Sequence, residues 1–428
     1  MEYPKLLIIS HNLYDTSNNI GKTLVSLLQG WPKERLSQIY FRNDMPSFKY
    51  CEQYYCITDK DILKSVLTLH LKSAGRAVCN SGDLSLTGTE NSLYTIGNHR
   101  HPSVSLLRDS LWRISNWKTP GLKKWLDEVS KPDLILFVPN DYCLAYEVAL
   151  HVQKIVNKPI APFYMDDAFY WNCNINGIDK YRRKQLRELA SCIHNHSRDL
   201  LTICDYMSDE YKTLFDRKCW AFVNSVKVLT PKNNAELGNP VCFTYLGNLH
   251  SNRWMSLVEI GKTLDQIESK SGIRCVLRIF SGSILEDDMC NAFKEVRSIE
   301  YKGSIPSAEV RIKQLESDIL VHVEAFDTRS VNSTRLSLST KIPEYLSTGV
   351  PVFAYGPAEI SSMRYLGDNN LGQICTCKDD LYGCIESLLT SPENRESFIN
   401  NGIKRASEYH DIDKVSKNFQ DILKNYCL

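Results

Sequence analysis

Short apolar runs alternate with amphipathic stretches from the first residues onward. KLLIIS reads as a strand, HNLYDTSNNIG as the loop after it and KTLVSLLQGW as a helix. LSQIYF follows as a second strand, and TDKDILKSVLTLHLK as a helix with Asp near its start. The polar stretch SAGRAVCNSGDLSLTGTENSLYTIGNHRHP, about residues 73–103, is rich in Gly and Ser and reads as a loop or partly disordered insertion. Helical periodicity returns in SVSLLRDSLWRISNW. PDLILFVPN is a continuous apolar run, the pattern of a strand covered on both faces of a parallel sheet. CLAYEVALHVQKIV reads as its helix and KPIAPFYMDD as the next strand; residues 180 to 215 read as helical, and CWAFVNSV as a strand.

LTPKNNAELGNP, rich in Asn and Pro, reads as an interdomain linker, after which the alternation restarts. VCFTYLGNL, CVLRIFSG, IEYKGSI and ILVHVEAF read as strands, with SLVEIGKTLDQIE, DDMCNAFKEV and VRIKQLESD as the helices between them. Two such runs predict an α/β protein of two doubly wound, Rossmann-like domains facing across a cleft, residues 1–235 and 236–410.

Composition fits this picture and narrows the function. At 428 residues the chain is too long for one comfortable core. Its 43% hydrophobic and 24% charged residues are ordinary for a soluble globular protein, and a net charge of +1 gives no reason to expect nucleic acid. The 15 cysteines are odd in number and scattered without a CxxC pair, so a reduced cytoplasmic protein is expected rather than a zinc site or a disulfide framework. MEYPKLLIISHN is a strand rather than a signal peptide or anchor, and no run reaches the length of a membrane span. A membrane, if met, is met from its surface.

The stretch STKIPEYLSTGVPVFAYGP, residues 339–357, carries the strongest chemical signal. Ser339 or Thr340 can cap a helix whose free N–H groups and positive dipole end suit an anion. Lys341 in the first turn is unfavourable for that dipole unless an anion is bound. Glu344, one turn on, can accept hydrogen bonds from two vicinal hydroxyls. Gly349 and Pro351 end the helix and launch an apolar strand. On these residues alone, a phosphate-holding helix start and a plain helix-to-strand turn both stand.

Other candidates are weaker. A lone Gly21 in the first loop falls far short of a dinucleotide fingerprint. FYMDDAFYW places Asp166 and Asp167 at the carboxyl end of a strand, where one could orient or deprotonate an acceptor hydroxyl while Tyr170 or Trp171 stacks on a sugar; a helix cap is the alternative. TDKDIL and HDIDKV have Asp-x-Asp spacing, but each precedes an apolar helical run and reads as a cap, so no metal is expected. His11 stands just past the first strand, as a cleft residue would; His322 lies inside a strand as a core histidine would. Neither has a Ser or Cys partner by spacing, which leaves hydrolase chemistry without support. Residues 72–124 carry eight Lys or Arg against three acids, a basic amphipathic surface or simply a helix packed on the first sheet.

STKIPEYLSTGVPVFA resembles the signature of nucleotide-sugar glycosyltransferases of the two-domain GT-B fold, family 4 in particular. YLGNLHSNRWMSLVEIG resembles the strand, loop and helix that open that family's donor domain, ILVHVEAFD its strand bearing an acid toward the donor sugar, and DDLYGCIESLLTSPENRESFINNGIKRASEYH its closing helices. The resemblance implies transfer of a sugar from a nucleotide diphosphate sugar to an acceptor hydroxyl, with retention of configuration and no further cofactor. Glu344 would hold the ribose, Arg253 and Lys341 the diphosphate, and Glu324 the sugar, with Gly247, Asn248, Ser339 and Thr340 around the donor. Loop residues Asn19 to Lys22, including Gly21, would touch donor phosphate or acceptor, and residues 411–428 would form a helix crossing back to the first domain. The setting implied is surface polysaccharide assembly, with a saccharide or polyprenyl-diphosphate-linked acceptor at the inner membrane face and no nucleic acid. The chain departs from the pattern in one place. The family separates two Glu residues by seven positions, which lands on Leu336; the nearest matching acid, Glu324, lies twenty positions before Glu344, with the polar TRSVNSTRLSLS between. A sugar-nucleotide epimerase of the same shape, or a non-catalytic scaffold, are the rivals.

Overall fold

The computed structural model describes residues 2–69, 71–79, 102–169, 177–227, 231–232 and 235–427. The chain forms two compact units, Met1–Phe222 with Ser416–Leu428, and Val223–Val415.

The first unit is built on an eight-stranded sheet: β1 (Leu6–Ser10), β2 (Leu36–Tyr40), β3 (Gln53–Cys56), β4 (Arg76–Val78), β5 (Leu134–Phe137), β6 (Ile160–Tyr164), β7 (Leu200–Thr202) and β8 (Cys219–Ala221). Spatial order is β4-β3-β2-β1-β5-β6-β7-β8, parallel except where β4 runs against β3. β1 and β5 are buried along their whole length, as continuous apolar runs require. Winding proceeds outward in one direction from β1 and in the other from β5, so the order reverses between these two strands. Their carboxyl ends therefore open a crevice. Two expectations need correcting here. Part of the predicted insertion, Arg76–Val78, is an edge strand, entered through Gly75 at φ 97. Residues 180–215 are not one helical stretch, because β7 separates the helices Gly177–His194 and Asp205–Phe215. Both strands are three residues long, too short to impose a period-2 pattern on their surroundings.

Helix starts are set locally. Thr58 and Asp61 form a reciprocal capping box on the helix Asp59–Leu67, the role expected of TDKDIL. In HDIDKV, Asp411 likewise accepts from the Lys414 N–H. The closing helix Ile412–Asn425 contributes its last part to the first unit, with Phe419 packed on Phe163 and Phe222 and Gln420 donating to the carbonyls of Leu27 and Gln29.

The second unit has a six-stranded, wholly parallel sheet: β9 (Val241–Leu246), β10 (Cys275–Phe280), β11 (Ile299–Gly303), β12 (Ile319–Val323), β13 (Val352–Tyr355) and β14 (Gln373–Cys375), in the order β11-β10-β9-β12-β13-β14. Here the winding reverses between β9 and β12. Phe243, Leu257, Leu264, Leu277, Val321 and Phe353 are among the fully buried side chains that hold helices to this sheet. Each contributes about 1.5–3 kcal/mol by leaving water. The polar stretch after Glu324 contains a short helix, Thr328–Thr334, capped by Asp327 on the Ser330 N–H.

Candidate functional site

The β9/β12 crevice collects most of the residues singled out in the second half of the sequence. β9 delivers Gly247 and Asn248, β12 delivers Glu324, and the helix Arg253–Ser271 begins with Arg253. Asn252 caps that helix at φ 55, a left-handed conformation Asn tolerates, and its amide donates to Asp327 Oδ2 at 3.0 Å. The loops after β9 and β12 are thereby tied together.

Glu324 is 3% exposed, and its charge is met on two sides. Arg253 reaches its Oε2 through Nε at 3.1 Å and Nη2 at 2.8 Å, while Arg253 Nη1 donates to Asn248 Oδ1 at 3.0 Å. His322 Nε2 lies 3.4 Å from Glu324 Oε1. Burial, with the cations Arg253 and Lys341 nearby, depresses the His322 pKa to about 3, so the imidazole is neutral. Glu324 is fixed by its backbone as well: its N–H donates to the Tyr355 carbonyl, and a Cβ on Gly356 would crowd Glu324 Cβ at 2.9 Å.

Lys341 opens the short helix Lys341–Leu346 and folds back over Tyr245, with Nζ 5.2 Å from the ring centre. The space a Cβ on Gly247 would need is occupied by the Lys341 ammonium, which explains a glycine at the end of β9. Among the described residues the ammonium makes no ion pair or hydrogen bond. Burial, seconded by Arg253, pulls its pKa from 10.5 down to about 8, against the opposing pull of Glu324 and Glu344. It is a cation stored without its anion.

One expectation about this helix fails. Thr340 is the cap residue, but it is already αR (φ −61, ψ −16) and its side chain makes no capping hydrogen bond. Ser339 supports the start through its backbone, its N–H donating to Ser362 Oγ and its carbonyl accepting from Ile342. Glu344 is partly exposed, and Gln314 Nε2 donates to its Oε2 at 3.4 Å, while Arg311 clamps the Glu344 and Ser347 carbonyls. Gly349, at φ 73, ends the segment ahead of Pro351 and β13. The ion partner of Glu324 is Arg253, whereas a loop acid at this place could also have paired with the nearer Arg329 or Arg335.

The candidates of the first unit are placed separately. Asp166 is exposed at the end of β6; Asp167 is turned inward, 4% exposed, accepting from the Phe169 N–H and the Tyr211 hydroxyl. Asn19 is the first residue of its helix and exposed, while Asn18 caps it by accepting from the Gly21 N–H at 2.7 Å. Gly21 is demanded by packing, since a Cβ there would strike the Asp15 and Leu13 carbonyls. His11 lies at the β1/β5 crevice. Tyr170 and Trp171 lie outside the described residues. Among the described residues no group of three or more His, Cys, Asp or Glu is placed to hold a metal, and no helix is long and apolar enough to cross a membrane. Asn252, Tyr245 and Gln314 were not singled out in the sequence; Asn252 reaches Asp327, Tyr245 lies beneath Lys341 and Gln314 reaches Glu344, pairings between distant parts of the chain that no local pattern announces.

No protein-family model and no curated protein matches the chain. Solved structures match along nearly its whole length. Anabaena Alr3699/HepE in complex with UDP and glucose superposes with a TM-score of 0.63 at 11% identity, covering 99% of this chain and 100% of that one. Sucrose-phosphate synthase from Thermosynechococcus elongatus gives 0.63 at 11% identity over 98% of both chains. The apo lipopolysaccharide outer core galactosyltransferase WaaB gives 0.58 at 14% identity over 98% and 99%. The fold is GT-B. Both sheets of the chain have the doubly wound GT-B form, and the β9/β12 crevice is the topological switch point of its second domain.

Proposed function

We propose that this protein is a glycosyltransferase that moves a sugar from a nucleotide diphosphate sugar to an acceptor hydroxyl, in the manner of glycosyltransferase family 4. The observation that carries this is Lys341, a half-buried cation without a counter-ion, set beside Arg253 at the switch point of the second domain. A diphosphate supplies the negative charge that Lys341 lacks, with the Glu324-paired Arg253 beside it. As the glycosidic bond breaks, charge builds on the leaving diphosphate, and two fixed cations in a site largely shielded from water stabilise it without a metal ion. Glu344 would accept from the ribose hydroxyls, and Glu324, held at 2.8 Å by Arg253, would receive a donor-sugar hydroxyl on its remaining lone pairs. Gly247 and Asn248, with Ser339 and Thr340, would frame the diphosphate. The UDP and UDP-glucose complexes of HepE favour a uridine donor.

The finer parts of the proposal are retention of configuration, a saccharide or lipid-linked saccharide acceptor, and a place in surface polysaccharide assembly at the inner face of the membrane. Asp166, exposed at the end of β6, is the acid of its pair able to meet an acceptor; Asp167 would act through the Phe169 and Tyr211 groups it holds. The test is calorimetry of UDP, GDP and ADP against the wild type, Glu344→Ala and Lys341→Ala. One nucleotide should bind the wild type and weaken in both variants. If none binds the wild type, the proposal fails.

A further inference from the structure

We propose that a cavity on one face of the second domain's sheet binds a small organic phosphomonoester, its phosphate held by Arg278, Lys302 and Lys313 and its organic group laid on Phe280. The cavity measures about 240 Å³ and lies between β9, β10 and β11 on one side and the end of the helix Ser307–Leu315 on the other. The strands explain why it exists. Leu277 and Ile279 of β10, with Ile299 and Tyr301 of β11, turn toward the domain core, so Arg278, Phe280 and Lys302 turn to the opposite face. A wholly parallel sheet is ordinarily covered on both faces. Here the helix Ser307–Leu315 packs over β9, where Thr244 is 1% exposed, while the side chains of Arg278 and Lys302 toward the edge strand β11 stay 38% and 43% exposed. The result is a recess with a buried floor and an open, cationic rim. None of its lining residues belongs to the β9/β12 crevice.

Charge and shape fix the class of ligand. Three cations share two carboxylates: Arg278 Nε and Lys302 Nζ lie 3.4 and 2.9 Å from the same Glu300 Oε2, and Lys313 Nζ lies 2.8 Å from Glu316 Oε2. One positive charge is therefore unmatched. Among the described residues Arg278 has this single ion partner, so most of its five N–H groups remain free for a planar, two-pronged grip on an oxyanion. Arg278, Lys302 and Lys313 come from β10, β11 and the helix, three directions around one space, which suits the three terminal oxygens of a phosphate better than the two of a carboxylate. The volume equals that of about eight waters at ~30 Å³ each, more than a bare phosphate fills. The remainder is bounded by the Phe280 ring and the Thr244 hydroxyl, whose other contact is Cys242 Sγ at 3.5 Å, an apolar wall and one polar group for a small organic body. This site is independent of the glycosyl-transfer proposal.

The test is calorimetry of the full-length protein with phenyl phosphate, inorganic phosphate and benzyl alcohol. Phenyl phosphate should bind saturably and more tightly than inorganic phosphate, and benzyl alcohol should not bind. Lys341→Met, which removes the cation of the β9/β12 crevice, should bind phenyl phosphate as the wild type does. Arg278→Gln should weaken it by about tenfold or more, and Lys302→Gln, on the exposed edge strand where folding is least at stake, should weaken it in the same direction. No binding to the wild type, loss of binding in Lys341→Met, equal binding of inorganic phosphate, or wild-type affinity in both Arg278→Gln and Lys302→Gln would each overturn the proposal. Titration of UDP into the same wild-type protein separates the two ideas: phenyl phosphate binding without UDP binding removes the donor assignment alone, and the converse removes this site alone.

Discussion

Replacing Lys341 by Met should stabilise the protein and disable nucleotide binding at once. Met keeps the length and packing of the side chain over Tyr245 and against Gly247 but carries no charge. In the folded protein the Lys341 pKa falls from 10.5 to about 8, so the charged form is disfavoured by about 3 kcal/mol. A base whose folded pKa is lowered destabilises the fold below that pKa, because the unfolded chain binds the proton more tightly. The cost is full below pH 8 and is relieved as pH climbs from about 8 toward 10.5. Lys341→Met should therefore be more stable than wild type at pH 7 by about 1–3 kcal/mol, once lost packing is set against the relieved desolvation. The gap should close toward pH 10. Losing a charged hydrogen bond to phosphate should weaken UDP by roughly 10- to 100-fold. Urea unfolding of both proteins between pH 7 and 10, with calorimetry of UDP at pH 7, provides the measurements. A destabilised variant with unchanged UDP affinity would refute the account of Lys341 as a stored cation.

Anion binding should raise the Lys341 pKa, so wild-type affinity for UDP-glucose should fall about tenfold from pH 7 to pH 9, as the free protein loses the proton, and calorimetry across that range checks it. Arg253→Ala leaves Glu324 buried without its partner and should cost about 3–5 kcal/mol by urea unfolding, whereas Arg253→Ala with Glu324→Gln should recover a good part of it. Gly247→Ala puts a Cβ where the Lys341 ammonium sits and should abolish UDP binding by calorimetry while the protein stays folded by circular dichroism. If Glu344 holds the ribose, wild type should prefer UDP to 2′-deoxy-UDP, and Glu344→Ala should bind the two alike in competition assays.

The two α/β runs are legible in the sequence because the central strands of each sheet are buried along their length, which produces uninterrupted apolar segments such as LLIIS and ILVHV. β4 and β7 escape because three residues cannot carry a period. Lys341 stood out because a cation in a first helical turn contradicts the dipole, and local contradictions of that kind collect at functional sites. Its depressed pKa was not legible, since burial and the nearness of Arg253 depend on the pairing of β9 with β12, where Phe243 meets Ile319. The capping role expected of Ser339 and Thr340 fails for a related reason: the segment enters its six-residue helix through a tight turn, so no extended cap residue is present. The pairing of Glu324 with Arg253 was not legible either, because Arg253 lies 71 residues away in sequence.

The two switch points share a topology, and the one in the second domain leaves an element unmet. At β9/β12 the unmet element is charge, an ammonium without an anion beside a guanidinium already shared between Glu324 and Asn248. Natural folds seldom retain such deficits, because each costs free energy that a mutation could recover. A charged deficit selects for a charged ligand and rejects a neutral one by leaving the cation unpaired. Under the glycosyl-transfer proposal, the diphosphate of the donor is the anion that would meet it.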